Sequence, residues 1–295
     1  MVTGGNELEK KKISIWTVLK VVFLTFMVLI TLYPFIFMVS ASLSDKLSVM
    51  RNEIILWPKG LNFEAYKFVF RDRRIFRAYE NTIIYVVLGT AISMTVTTLG
   101  AYGLSKKNRL VFFKFFNLLI VITMFFGGGM IPKYLVVKEL KLLDTIWAVV
   151  LPSAISAWNV IVMRTFFMEF PEEIEQSGFI DGLNDLGVLY YLVLPTSGAI
   201  LATMSLFNAV GYWNSFMEPF LYLQDQKKLP LQVILRSIVI QGSSLENQYV
   251  SVDTPVVEES LKYATIIVSV IPIMTIYPFT QKYFMKGVMV GSLKG

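Results

Sequence analysis

The stretch from Pro171 to Asp185 holds the side chains best placed to act on something. Glu172, Glu173 and Glu175 fall within one turn, followed by Gln176, Ser177, Gly178, Phe179, Ile180, Asp181 and Gly182. A proline at the first helical position, with carboxylates in the first turn, is a helix start. The proline gives up an N–H that had no partner, and the acids sit at the positive end of the helix dipole. Gly182 and Asn184 supply the turn that ends it. The product is a short helix with an acidic end, small residues at Ser177 and Gly178, and an exposed apolar patch at Phe179 and Ile180. Such a helix either docks a soluble partner or lies on a membrane surface. Its acidity opposes the second reading, because anionic headgroups repel it. Catalytic chemistry has little to work with. The chain has no histidine and no cysteine, which removes imidazole bases, thiol nucleophiles, disulfides and the common zinc sites. Gly127, Gly128 and Gly129 lack the lysine of a phosphate-binding loop and read as hinge or packing.

The elements that must position the 171–185 helix are apolar. Of 295 residues, 55% are hydrophobic and 16% charged, where a soluble domain carries about a quarter charged. Mean hydropathy is +0.61. Charge-free runs cover 21–44, 81–105, 115–132, 145–163, 186–217 and 263–281, and no other is as long. A helix needs about 20 apolar residues to cross the hydrocarbon. Backbone groups there must satisfy one another, so each run reads as helix despite Pro34, Pro152, Pro195, Pro272 and Pro278. The expectation is an all-α membrane protein with six transmembrane helices and both termini on one side. The first run follows Lys10, Lys11 and Lys12 but exceeds the apolar core of a signal peptide, roughly 7–15 residues, and no small-residue cleavage site follows. The net charge of +6 suits anionic headgroups rather than nucleic acid.

Charge near the helix ends sets orientation. Lys10, Lys11, Lys12 and Lys20 outweigh Lys46 and Arg51, and Lys106, Lys107 and Arg109 agree with an N-terminus inside. Arg71, Arg73, Arg74 and Arg77, in the loop on the other side, weigh against it.

At 171–195 the chain resembles the EAA loop of binding-protein-dependent ABC importer permeases: Glu-Ala-Ala, three residues, Gly, then Leu-Pro. Gln176, Ser177 and Gly178 stand at the triplet, Gly182 at the glycine, and Leu194-Pro195 closes the pattern. All three triplet residues differ. Ser and Gly stay small, while Gln176 lacks the charge that Glu175 next door partly supplies. Further stretches extend the resemblance: Asn81-Thr82, Ala101 to Ser105, Met130-Ile131-Pro132, Leu142 to Thr145, Leu229 to Gln232, Lys282 to Val288 and Gly291 to Gly295. In this order they look like the sugar-importer branch related to the maltose permeases. They are most similar to the smaller permease of polysaccharide- and oligosaccharide-uptake systems.

The resemblance implies a type I ABC importer permease fold in a bacterial cytoplasmic membrane. Residues 1–14 would be a cytoplasmic tail, 15–44 the first transmembrane helix and 45–76 an extracytoplasmic loop. Residues 77–285 would form the transmembrane domain of five helices with a coupling helix at 171–184, and 286–295 a cytoplasmic tail. Glu172, Glu173, Glu175, Gln176, Ser177, Gly178, Phe179, Ile180, Asp181 and Gly182 would then couple the chain to a separate ATPase. This chain would form half of a sugar pathway and bind no cofactor, with ATP-Mg on the partner. The implied partners are a homologous second permease, two ATP-binding subunits, an extracytoplasmic sugar-binding protein and lipid, with no nucleic acid. The tail around Gly291 would also reach the ATPase. Sugar contacts are sought at Tyr212, Trp213, Asn214 and Glu218, since aromatic faces stack on sugar rings and amides and carboxylates bond hydroxyls. The same residues also anchor helices at the interface. Glu218 should face protein or water. Arg164 snorkels or binds the coupling loop rather than touching substrate. Arg71 to Arg77 is a solvated face, a binding-protein contact or a steering patch for an acidic oligosaccharide.

Two other classes are weighed. An ion-driven secondary transporter needs ionisable residues at mid-membrane and related halves; the charge-free runs show neither. A membrane enzyme needs a constellation of paired carboxylates, metal ligands or a nucleophile, and the acids here lie in loops.

Overall fold

A computed structural model describes residues 15–106, 109–241 and 259–275. Its regular elements are helices. They are Ile15–Ser42 (α1), Lys46–Met50 (α2), Glu64–Arg71 (α3), Arg73–Ser105 (α4), Phe113–Phe125 (α5), Met130–Glu139 (α6) and Ile146–Val150 (α7). Then come Ala157–Met168 (α8), Glu172–Ile180 (α9), Asp185–Val188 (α10), a π segment at Leu189–Val193, Leu194–Thr196 (α11) and Gly198–Trp213 (α12). Met217–Tyr222 (α13), Leu231–Gln241 (α14) and a helix over 259–275 (α15) complete the described chain.

The chain divides into two units, 1–69 with 250–267 and 70–249 with 268–295. In the first, the end of α1 meets the following loop. Ser40 Oγ donates to Leu56 O (2.6 Å), Ser42 Oγ lies 2.8 Å from Tyr66 Oη, and Asp45 N donates to Lys59 O (2.9 Å). Asp45 also caps α2, accepting from the Leu47 and Ser48 amides. Phe37 of α1 packs edge-on against Tyr263 of α15 at 5.7 Å.

The second unit is organised by α4. Its residues Gly89, Ser93, Thr97 and Ala101, four apart, are all buried. That spacing lays a strip of small residues along one face, which lets neighbouring helices approach closely where no hydrophobic effect drives them together. Helices α8 and α12 pack on α4. At Gly89 an added Cβ would lie 2.5 to 2.7 Å from the ring of Tyr212.

Two described helices, α1 and α4, are long and apolar enough to cross a membrane. The pair α5 and α6 is bent by 118°, and the pair 185–196 and Gly198–Trp213 by 88°. Several runs expected as single helices are therefore broken. The run 115–132 ends its first helix at Phe125 and turns through Gly127 to Gly129, where Gly129 adopts φ +82°. The run 145–163 breaks between Val150 and Ala157 around Pro152, which has no N–H to continue a helix. In the run 186–217 a π segment precedes Pro195, and the chain bends between Thr196 and Gly198. The run 263–281 is helical through residue 275, and its remainder lies outside the described residues. Helix α4 begins at Arg73 rather than inside the charge-free run. Asp72 caps it, accepting from the Arg74 amide at 2.8 Å, so Arg73, Arg74 and Arg77 ride on the helix itself.

Candidate functional site

Helix α9 starts after Pro171, with Glu172, Glu173 and Glu175 in its first turn. It ends in a paired-bond turn: Leu183 N donates to Gly178 O (2.9 Å) and Gly182 N to Phe179 O (3.1 Å). The turn needs a left-handed residue, and Gly182 at φ +85° provides it. Asn184 then caps α10 by accepting from Gly187 N at 2.8 Å.

The short helix is seated by Gly178 and held by two cations. A Cβ at Gly178 would lie 2.8 Å from Leu192 Cδ1 and 3.3 Å from Val188 Cγ2, so α9 rests directly on the segment leading into α12. Lys106, the C-cap of α4, is ion-paired with Glu175, and both side chains are withdrawn from solvent. Its ammonium also lies 4.7 Å from the centre of the Tyr102 ring. Arg109 holds the outer edge. Its guanidinium lies 4.4 Å from the centre of the Phe179 ring and donates to Asp185 Oδ1 at 3.1 Å.

Three expectations are corrected here. Phe179 is not part of the exposed patch; it is half-buried against the core beneath α9 and covered by Arg109. Ile180 is exposed, at 86%, with Ile174 and Leu186 also open. Glu175 does not lend its charge to the surface, because its carboxylate points inward to Lys106. Arg164 binds Asn117 of α5 rather than α9 and lies over the Phe113 ring at 5.7 Å. The outward face of α9 therefore carries Glu172, Glu173, Ile174, Gln176, Ser177, Ile180 and Asp181, all exposed.

No family model matches the chain. It is 43% identical over 275 residues to the polygalacturonan/rhamnogalacturonan transport system permease protein YtcP of Bacillus subtilis, covering 92% of this chain and 96% of that one. Protein LplC of the same organism is 38% identical over 291 residues, 95% of each chain. The solved structure of a bacterial ABC transporter involved in the import of the acidic polysaccharide alginate superposes with a TM-score of 0.85. It is 32% identical, over 93% of this chain and 98% of that one. The chain belongs to the permease family of ABC sugar importers. The relatives are transport components of such systems, and the chain is an integral membrane permease of the same kind.

In this permease the four residues at the end of the fifth run part company. Tyr212 is buried and serves packing: its hydroxyl donates to Val150 O at 2.9 Å and lies 3.1 Å from Ser93 Oγ. Trp213 is buried 6.3 Å from the Tyr79 ring, and its indole N–H has no partner among the described residues. Asn214 is exposed at the C-cap of α12. Glu218 is half-buried and accepts from Ser153 Oγ at 2.6 Å, so it faces protein.

Other polar residues escaped the sequence reading. Asn159 of α8 donates to Asn208 of α12 (3.3 Å), and Asn208 donates to Met204 O (2.9 Å). They sit in charge-free runs, and a search for missing charge passes over an uncharged amide. Asp144 ties two loops together. It accepts from the Gln224 and Asp225 amides at 3.1 and 3.0 Å and from Lys228 Nζ at 2.7 Å, in a left-handed conformation at φ +59°. Lys106 and Arg109 were legible only as orientation signals; nothing in the sequence says which carboxylates they meet.

Proposed function

We propose that the permease forms half of a translocation pathway for an oligosaccharide or polysaccharide fragment, driven through α9 by a separate ATPase. In this reading the chain crosses the membrane six times, with 1–14, 171–184 and 286–295 in the cytoplasm and 45–76 outside. Two ATP-binding subunits, each carrying ATP-Mg, dock on this permease and on a homologous second one, and an extracytoplasmic binding protein delivers the sugar. The permease itself binds no cofactor and performs no catalysis. Glu172, Glu173, Gln176, Ser177, Ile180 and Asp181 face the ATPase, while Glu175, Gly178, Phe179 and Gly182 fix the helix that presents them. Asn214 and Glu218 are the pathway candidates, with Tyr212 and Trp213 shaping the wall behind them.

One observation carries the reading: a short helix leaves Ile180 open while its other face is bound by an ion pair and a glycine contact to the helix bundle. A free-standing loop has no use for such anchoring; a lever does. When the two ATPase subunits close, the docked helices follow, and a helix fastened to the C-cap of α4 and to the segment leading into α12 moves those elements with it. The test is reconstitution with the cognate ATPase and binding protein in liposomes. Sugar-loaded binding protein should raise ATP turnover, and Ile180→Glu should remove that response while leaving membrane insertion unchanged. An Ile180→Glu complex that transports normally would refute the coupling role.

A further inference from the structure

Arg236 of α14 stands against the start of α13, with its guanidinium carbon 4.1 Å from the centre of the Phe216 ring. Phe216 stacks in turn on Phe220, ring centres 5.4 Å apart and planes 22° from parallel. The outer member of this stack, Phe220, is 57% exposed. Arg236 is exposed too, and no carboxylate among the described residues pairs with it. Its position is fixed from below. Leu231, Leu235 and Ile238 bury the other side of α14, and Leu231 N donates to Thr82 Oγ1 of α4 at 2.9 Å. Asn214, two residues before Phe216, is exposed.

We propose that Arg236, Phe216 and Phe220 form a subsite for an acidic oligosaccharide built from uronate units. The proposal rests on the importer reading above and names the class of sugar. A sugar ring lays its C–H face on an exposed phenyl ring. A guanidinium grips a carboxylate through two parallel N–H···O bonds, and stacking on Phe216 holds its plane ready for that. An oligosaccharide lying along the stack sets one ring on Phe220 and presents a neighbouring unit's carboxylate to Arg236. A neutral chain would satisfy the phenyl ring and leave the guanidinium unpaired. A lipid headgroup would meet the charge and leave the ring face unused.

The experiment is uptake of labelled tri-galacturonate and of its methyl ester by cells carrying the complete importer. Arg236→Gln should lower uptake of the acid about tenfold, the size of a lost charge-assisted pair, and change that of the ester less than about twofold. Arg236→Lys, which keeps the charge, should retain a substantial part of acid uptake, and Phe220→Ala should lower uptake of both sugars. Equal loss of acid and ester in Arg236→Gln, no loss, or a loss in Arg236→Lys as deep as in Arg236→Gln would overturn the subsite. A fall in the membrane level of Arg236→Gln, with normal uptake per molecule, would assign the arginine to lipid headgroups and overturn it too. Import of the ester but not the acid by the unaltered chain would reject the acidic class while leaving the importer reading intact. Chain-dependent import of no sugar at all would reject that reading itself.

Discussion

Glu175 and Lys106 form a largely buried ion pair between the short helix α9 and the C-cap of the long helix α4. Removing one member leaves a charge without a partner where little water reaches it, which costs up to about 3–5 kcal/mol, whereas replacing both with apolar groups costs much less. Glu175→Gln and Lys106→Met should each destabilise the detergent-purified permease strongly, and the Glu175→Met/Lys106→Met double variant should be more stable than either. Thermal loss of the monodisperse peak in a double-mutant cycle reads this directly. Additive losses would show that the two groups do not depend on each other.

Gly178 separates size from function. Its nearest neighbour is the flexible tip of Leu192 at 2.8 Å from an added Cβ, so Gly178→Ala should cost under about 1.5 kcal/mol as Leu192 turns aside. Gly178→Val has no such escape and should lift α9 off its seat. ATP turnover stimulated by loaded binding protein should survive the first and fail in the second. Gly182→Ala should cost about 1–2 kcal/mol for a different reason, since its φ of +85° forces a side chain into the left-handed region.

The Tyr212 ring against Gly89 gives a sharper steric test. An added methyl at Gly89 meets rigid ring atoms at 2.5 to 2.7 Å, and overpacking of this kind costs about 1–3 kcal/mol. Gly89→Ala should lower the melting temperature in detergent, and adding Tyr212→Leu should recover part of the loss. Tyr212→Phe keeps the ring and loses only the hydrogen bond to Val150 O, about 1 kcal/mol. A Gly89→Ala chain that melts like the unaltered one would show that α4 and α12 do not pack this closely.

Asp144 predicts a pH response outside the spans. The Lys228 ammonium, then the amides of Asp225 and Gln224, hold its carboxyl below the ordinary 3.8. A folded-state value below the unfolded one means the stabilisation is complete above 3.8 and disappears as pH falls through the lower folded value. Hydrogen exchange at the 224 and 225 amides, taken relative to the free-chain rate at each pH, should therefore stay slow at neutral pH and rise only below 3.8. Asp144→Asn should raise it at neutral pH and flatten the acid dependence. An acid profile unchanged in Asp144→Asn would point to another carboxyl.

The sequence determined a good deal by itself. Charge-free runs revealed apolar helices because lipid excludes charge from every turn of a span, and that signal is local and additive. The start of α9 at Pro171 and its end near Gly182 were legible for the same reason: a proline, three carboxylates and a glycine act within single turns. The motif order around Gln176, Ser177, Gly178 and Gly182 carried the family.

Tertiary structure alone decided which face of α9 looks outward. Phe179 and Ile180 are adjacent and equally apolar, yet a helix turns about 100° per residue, and only the placement of Arg109 and the core beneath α9 sends Phe179 in and Ile180 out. The partners of Lys106, Arg109, Asn159 and Arg236 were likewise beyond reach. Each lies far along the chain or on another helix, and hydropathy measures what surrounds a span without saying which helix stands beside it. The breaks at Gly127 to Gly129 and around Pro152 belong to both: the residues permit a break, and only the folded chain shows that it is taken.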